Sequence, residues 1–159
     1  MLEFNDAGLL VPPTIIDSTL SEFERYFSGD NPDNIRTVLY NQYIEYIIDL
    51  KRVCAKTELK QWIDGSFVTK KSKPFDIDLV TFIDEETLKL NAERLKNFVY
   101  PGSLTNYGLD GYFIVDYPES HKNYFMYKSD CAYWIELFGR TKSDKRHKSV
   151  PKGFLEIIA

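Results

Sequence analysis

From Ile35 to about Lys56, apolar residues recur every three or four positions, at Ile35, Val38, Leu39, Ile44, Ile47, Ile48 and Val53. That is the period of a helix with one face on a core. Asn31-Pro32 stands ahead of it, and an asparagine cap with proline in the first turn predicts the helix start there. Thr19-Leu20-Ser21-Glu22 has capping-box spacing and predicts a short helix carrying Phe23 and Phe27. Pro12-Pro13 keeps residues 8–16 extended. Strand signals fall at Leu59 to Asp64, Pro74 to Ile83, and Asp110 to Tyr117, where Pro118 ends the alternation. A closing strand is expected from Phe154 to Ile158. Between them, Asp84-Glu85-Glu86 places acids at a helix start, where the helix dipole favours them. This helix is expected to run to about Val99 and to stop at Pro101-Gly102. Residues 130–138 read as an aromatic-rich helix. Helices interspersed with a few short strands predict an α+β fold, its sheet covered mainly on one face.

The length, 159 residues, suits one domain with its own core. Residues 1–56 form an extended segment and helices; 57–159 form a sheet-bearing part with a basic loop at 140–152. Apolar residues make up 43% and aromatics 15%, which excludes a disordered chain. A net charge of −4 argues against non-specific binding of duplex DNA. Cys54 and Cys131 lie in apolar segments without metal-ligand spacing, so they read as buried reduced thiols of a cytoplasmic protein. Met1 to Asp6 has neither a basic flank nor a long apolar run, so no signal peptide or anchor is expected there. No segment is apolar enough to span a bilayer.

The chemistry concentrates in Trp62-Ile63-Asp64-Gly65-Ser66 and Phe75-Asp76-Ile77-Asp78-Leu79-Val80. On a strand, Asp76 and Asp78 share a face while Ile77 and Leu79 point to the core. Two like charges held so close repel, and a divalent cation relieves the conflict; hard oxygen donors favour Mg²⁺. Gly65 lets the backbone approach an anion, and the Ser66 hydroxyl can donate to phosphate. Together these residues suggest metal plus nucleoside triphosphate. Lys70, Lys71 and Lys73, in the spacer, are either solvated or charge partners of the triphosphate. The basic run from Arg140 to Lys148, with Lys152 beyond it, is either a solvated loop or a flap that meets polyanions. His121 and His147 have no ligand-spaced partners for zinc. Trp62, Tyr133 and Trp134 read as core residues, with a base-stacking platform as the alternative.

Gly65-Ser66, a nine-residue spacer and Asp76-Ile77-Asp78 resemble the signature of the DNA-polymerase-β-like nucleotidyltransferase superfamily. Gly8-Leu9-Leu10-Val11-Pro12-Pro13, Tyr133-Trp134 with Leu137-Phe138-Gly139, and Lys152-Gly153-Phe154-Leu155-Glu156-Ile157 are similar to landmarks of small bacterial and phage proteins with that fold. The resemblance implies the small mixed β-sheet of that fold and a pair, Asp76 and Asp78, bridging two Mg²⁺ ions. It also implies a third carboxylate on the following strand that serves as metal ligand and base. Asp110 and Asp116 have equal parity there, and Leu109-Asp110-Gly111-Tyr112-Phe113 matches the expected pattern better. Gly65, Ser66, Lys70 and Lys73 would then hold the triphosphate, with ATP among the candidates. The implied activity is transfer of a nucleoside monophosphate to an acceptor hydroxyl with release of pyrophosphate. The acceptor, whether RNA, protein or small molecule, is left open, as is a partner protein. Larger relatives grip base and acceptor with an added helical domain, for which this sequence leaves no residues. Specificity is then expected from the N-terminal helices, a partner or the acceptor. The alternative is an inert nucleotidyltransferase-fold binding module in a toxin–antitoxin or phage-defence system.

Overall fold

The computed structural model describes residues 1–143 and 148–159. Its elements are β1 (Glu3–Phe4), β2 (Leu10–Val11), β3 (Ile15–Ser18), α1 (Leu20–Phe27), α2 (Ile35–Cys54), β4 (Lys60–Asp64) and β5 (Asp78–Ile83). They continue with α3 (Glu85–Leu90), α4 (Ala92–Leu95), a short 3-10 turn (Lys96–Phe98), α5 (Gly102–Tyr107), β6 (Asp110–Val115), α6 (Tyr124–Phe138) and β7 (Phe154–Ile158). Strands β1 and β2 form a small hairpin; the other five form a mixed sheet in the order β3-β7-β4-β5-β6. The fold is α+β. No helix among the described residues is long and apolar enough to cross a membrane.

Strand parity divides the interior into two layers. Ile63, Leu79 and Leu155 are register partners whose row faces the main core, with Phe23, Phe27, Tyr43, Tyr46 and Leu50 of α1 and α2 in the same cluster. One position over, Trp62 and Val80 face the opposite side and cluster with Phe82, Ile114 and Phe154 against Phe138 of α6. Successive residues alternate faces, so each strand serves both layers. The α6 side is the thinner one, and it carries the candidate site.

Several local expectations hold. Thr19 caps α1, its hydroxyl accepting from Glu22 N–H at 3.1 Å. Glu22 does not return the bond to the cap; it accepts from the Ser18 hydroxyl at 3.3 Å and pairs with the Met1 ammonium at 3.0 Å.

Others need correction. Helix α2 is capped by Asn34, which accepts from Arg36 N–H at 2.9 Å, and Asn31 instead closes a turn onto Asp33 N–H. Its buried side only partly follows the aliphatic stripe: Leu39 and Ile47 are buried and Ile44 and Val53 pack on the core, but Ile35, Val38 and Ile48 are exposed, and Tyr40, Tyr43 and Tyr46 are buried. Tyrosine tolerates that depth because its hydroxyl finds acceptors. Tyr43 donates to Gln61 Oε1 at 2.7 Å and Tyr46 to the Phe98 carbonyl at 3.0 Å. The single helix expected from Asp84 to Val99 is three short turns. It breaks at Asn91, whose amide donates to the Thr87 carbonyl at 3.0 Å. Pro101-Gly102 starts α5 instead of ending a helix, since proline also suits a first turn. Strand β5 begins at Asp78, four residues later than expected, and β6 ends at Val115. Helix α6 begins at Tyr124. Cys54 is buried, but Cys131 is half-buried on α6; both are free thiols.

Candidate functional site

Register decides the site. Asp64 pairs with Asp78 across the antiparallel β4–β5 ladder, and Asp78 pairs with Asp110 across the parallel β5–β6 ladder. Neighbouring strands lie about 4.8 Å apart, so three carboxylates stand in one row across three strands. They share parity with Trp62, Val80 and Tyr112 and so project on the α6 side. Asp76 joins them from the extended segment just before β5, while Ile77 and Leu79 are fully buried on the other side.

This row lines a cavity of about 650 Å³. Gly65, Ser66, Thr69 and Lys71 line it beside the acids; Tyr133, Trp134, Leu137 and Phe138 of α6 form the facing wall. Arg140 and Lys142 complete the rim. Asp116, the rival third carboxylate, lines a different cavity of about 230 Å³ with Lys56 and Lys60. The structure therefore brings Asp110, and not Asp116, to Asp76 and Asp78.

The electrostatics show charges in conflict. Burial foremost, then the charges of Asp76 and Asp64, push Asp78 up to about 6 against a weaker pull from Lys142. Asp76 is raised by burial and by Asp110, with Lys142 and Lys71 opposing. Asp64 is raised mainly by burial, although Lys152 works against the shift. Asp110 Oδ1 is buried without a hydrogen-bond partner among the described residues. Beside it, Tyr112 is pushed up to about 12, by burial first and then by Asp110.

Among the described residues, no three His, Cys, Asp or Glu side chains stand together in a ready-made metal arrangement. The donor chemistry nonetheless fits a hard divalent cation: the donors are all oxygen and anionic, and they include one buried oxygen with nothing to bind. Asp76, Asp78 and Asp110 disfavour one another's charged forms, and a bound cation offsets that repulsion.

Gly65 has φ +83°, and a Cβ there would collide with Asp78 Oδ2. Glycine is thus required at this turn by the carboxylate itself, besides any approach of phosphate. The Ser66 hydroxyl lies at the cavity without a partner among the described residues, while its carbonyl accepts from Thr69 Oγ1 at 2.7 Å. Of the three spacer lysines, Lys71 reaches the cavity and Lys70 and Lys73 do not. Lys70 places its ammonium 4.1 Å from the Phe4 ring centroid, and its N–H bonds the Gly8 carbonyl. The β1–β2 hairpin therefore claims Lys70 as a support of the loop. Lys73 is exposed, outside the lining.

Arg36, to which the sequence pattern assigned no role, helps shape the site, and Lys152, expected with the basic loop as solvated or as part of a flap, is instead buried inside it. Arg36 donates to the carbonyls of Phe27, Phe67, Thr69 and Lys71, tying the spacer loop to α2, and has no carboxylate partner among the described residues. Lys152 is buried, bonded to Asp64 Oδ1 and, at 2.9 Å, to the Phe138 carbonyl at the end of α6. Asp64 closes an apolar strand run, which is a readable anomaly, but its alignment with Asp78 needs the pairing. Lys152 carries no local signal, because a lysine before a strand is ordinarily solvated. Tyr133 and Trp134 also change role: Tyr133 is 61% exposed and both line the cavity, whereas Trp62 is core, its Nε1 donating to Glu156 at 2.8 Å. The basic loop has a pinned stem, with Thr141 N–H on the Val150 carbonyl and Arg140 on Ser149. Lys145, Arg146 and His147 of that loop lie outside the described residues.

The chain belongs to a family of unknown function (DUF6932), whose model matches residues 2–158. No curated protein matches the chain, and neither does any solved structure.

Proposed function

We propose that this member of DUF6932 is a Mg²⁺-dependent nucleotidyltransferase. The observation that carries the reading is the acidic row: Asp78 and Asp110 in register, Asp76 beside them, and a buried Asp110 oxygen without a partner. Asp76, Asp78 and Asp110 would hold two Mg²⁺ ions. Bound there, the ions would supply Lewis-acid neutralisation of charge on the phosphates and on the attacking and leaving oxygens.

The remaining roles fall to the chain. Ser66 Oγ donates to a phosphate oxygen of the triphosphate. Lys71 and Lys142, at the cavity rim, offset its charge. The Asp110 carboxylate takes the proton of the acceptor hydroxyl as that oxygen attacks the α-phosphorus. The bond from the α-phosphorus to the bridging oxygen breaks, and pyrophosphate leaves. Lys152 keeps Asp64 paired, so the fourth carboxylate of the site stays out of the competition for cations.

The direct test incubates the protein with each α-labelled nucleoside triphosphate, Mg²⁺ and cell extract, and follows label into an acceptor. Labelled acceptor supports the reading. Triphosphate binding without transfer to any acceptor supports the inert binding module instead.

Three variants sharpen the assignment. Ser66→Ala should weaken triphosphate binding by about 1 kcal/mol, or up to about 3 if the bond is to charged phosphate. Nucleoside affinity should not change; equal losses for both ligands would make Ser66 a turn residue only. Asp110→Asn should remove transfer while sparing most triphosphate binding, and Asp116→Asn should do neither, since Asp116 lines the other cavity. Single-turnover assays with a binding measurement in parallel separate these outcomes.

A further inference from the structure

We propose that Phe75 and the cavity-facing side of α6 form a stacking subsite for a nucleobase, one that grips the π face and does not read the edge. This rests on the nucleotide reading of the same cavity. Phe75 is 85% exposed, although it stands immediately before the acidic pair. An apolar ring left in water forgoes the gain that burial would bring. Here that ring forms part of the cavity lining, with the Lys71 ammonium 5.1 Å from its centroid. On the facing wall, Tyr133 and Leu137 are exposed at 61% and 50%, at the i and i+4 spacing that puts them on one side of a helix. Trp134 lies against Tyr112, with 4.9 Å between ring centroids. Exposed apolar groups that converge on one concavity, instead of scattering over a surface, mark a ligand site.

The polar groups of the lining sort to other tasks. The acids sit at the sheet end, and Lys71 and Lys142 are point charges suited to phosphate. Reading a base edge takes a fork of donors and acceptors, most often from Asn, Gln or Arg. No Asn or Gln is found among the described lining residues, and Arg140 is engaged with Ser149. Stacking without such a fork tolerates every base, because every base has a π face. The triphosphate and a nucleoside-bearing acceptor are the two sources of such a ring; the chemistry of the subsite is the same.

The test uses the full chain in Mg²⁺ and its tryptophan fluorescence. Trp62 is buried in the core and gives a constant background, whereas Trp134 lies at the cavity and reports a stacked ring. ATP, GTP, CTP and UTP are expected to quench, with affinities within about tenfold of one another, the spread stacking alone allows. Inorganic triphosphate, followed by calorimetry, is expected to bind more weakly and without quenching. Phe75→Ala and Tyr133→Ala, both at exposed positions, should each weaken nucleoside triphosphate binding by about 5- to 100-fold. Both should leave inorganic triphosphate affinity unchanged. Adenosine assigns the source: competition with ATP places the triphosphate's own base in the subsite, and further quenching with ATP bound places the acceptor's ring there. Unchanged nucleotide affinity in both variants, or equal losses for inorganic triphosphate, overturns the subsite. A preference above about 100-fold for one base overturns its tolerance. If wild-type protein binds neither nucleotide nor inorganic triphosphate, the nucleotidyltransferase reading fails first; if it binds both equally, only the subsite fails.

Discussion

Asp78→Asn is expected to abolish metal-dependent triphosphate binding and transfer while raising the melting temperature of the metal-free protein. The first effect follows from its place, in register with both Asp64 and Asp110 and next to Asp76 in charge. Residues that merely orient a metal ligand cost 10- to 100-fold when changed, so losing a ligand should cost more than about 100-fold. The second effect follows from the same geometry. Burial and the neighbouring acids raise Asp78 to about 6, so in the folded chain its charge is unfavourable. A folded pKa above the unfolded one means that the native state binds the proton first, and metal-free stability falls as pH rises from about 4 through 6. Asparagine removes that charge. A gain of order 1 kcal/mol at pH 7 corresponds to about 2–4 °C in Tm for a chain of this size. The gain should vanish near pH 4 and reverse in saturating Mg²⁺, because only the wild-type protein is stabilised by the ion. Thermal melts across pH, with and without Mg²⁺, check both signs. Unchanged triphosphate affinity, or a metal-free loss of stability at pH 7, would contradict the metal-site reading.

The largest effect on folding is expected at Lys152. Its ammonium is buried with the Asp64 carboxylate, side chains 6% and 8% exposed, and it also bonds the last carbonyl of α6. Removing one partner of a buried pair leaves the other charge in a medium that cannot solvate it, at a cost of about 3–5 kcal/mol. Lys152→Met keeps the stem and deletes the charge, so the loss reports the stranded Asp64. It should be smaller at pH 5 than at pH 8, since burial already raises Asp64 and protonation removes the uncompensated charge. Adding Asp64→Asn to Lys152→Met should recover most of it. Urea unfolding of the two single variants and the double variant measures the coupling. A loss below about 1 kcal/mol for Lys152→Met would mean that water already reaches the pair.

What could be read from the chain was local. Thr19 three residues before Glu22 predicts a cap because the bond spans one turn. The alternation through Phe75 to Val80 places Ile77 and Leu79 in the core and Asp76 with Asp78 outside it, because neighbours on a strand oppose each other. Gly65-Ser66 at its distance from that pair marked the turn that now lines the cavity. Helix α2 shows where such reasoning stops. Periodicity identified the helix and placed Leu39 and Ile47 in the core, but the burial of Tyr43 and Tyr46 depends on Gln61 and the Phe98 carbonyl, which receive their hydroxyls. The choice of Asp110 over Asp116 was legible only as a pattern preference, since the two share parity. Register with Asp78 decides it, and register arises from contacts between distant segments. Asp64 and Lys152 lie 88 residues apart, and nothing near either one indicates the other. By itself the sequence determined the class of fold, the acidic pair and its glycine turn, all set by interactions within a few residues. Only the tertiary structure decided the third carboxylate, the buried lysine and the aromatic wall, because strand pairing and helix docking bring those groups together and no short-range preference encodes them.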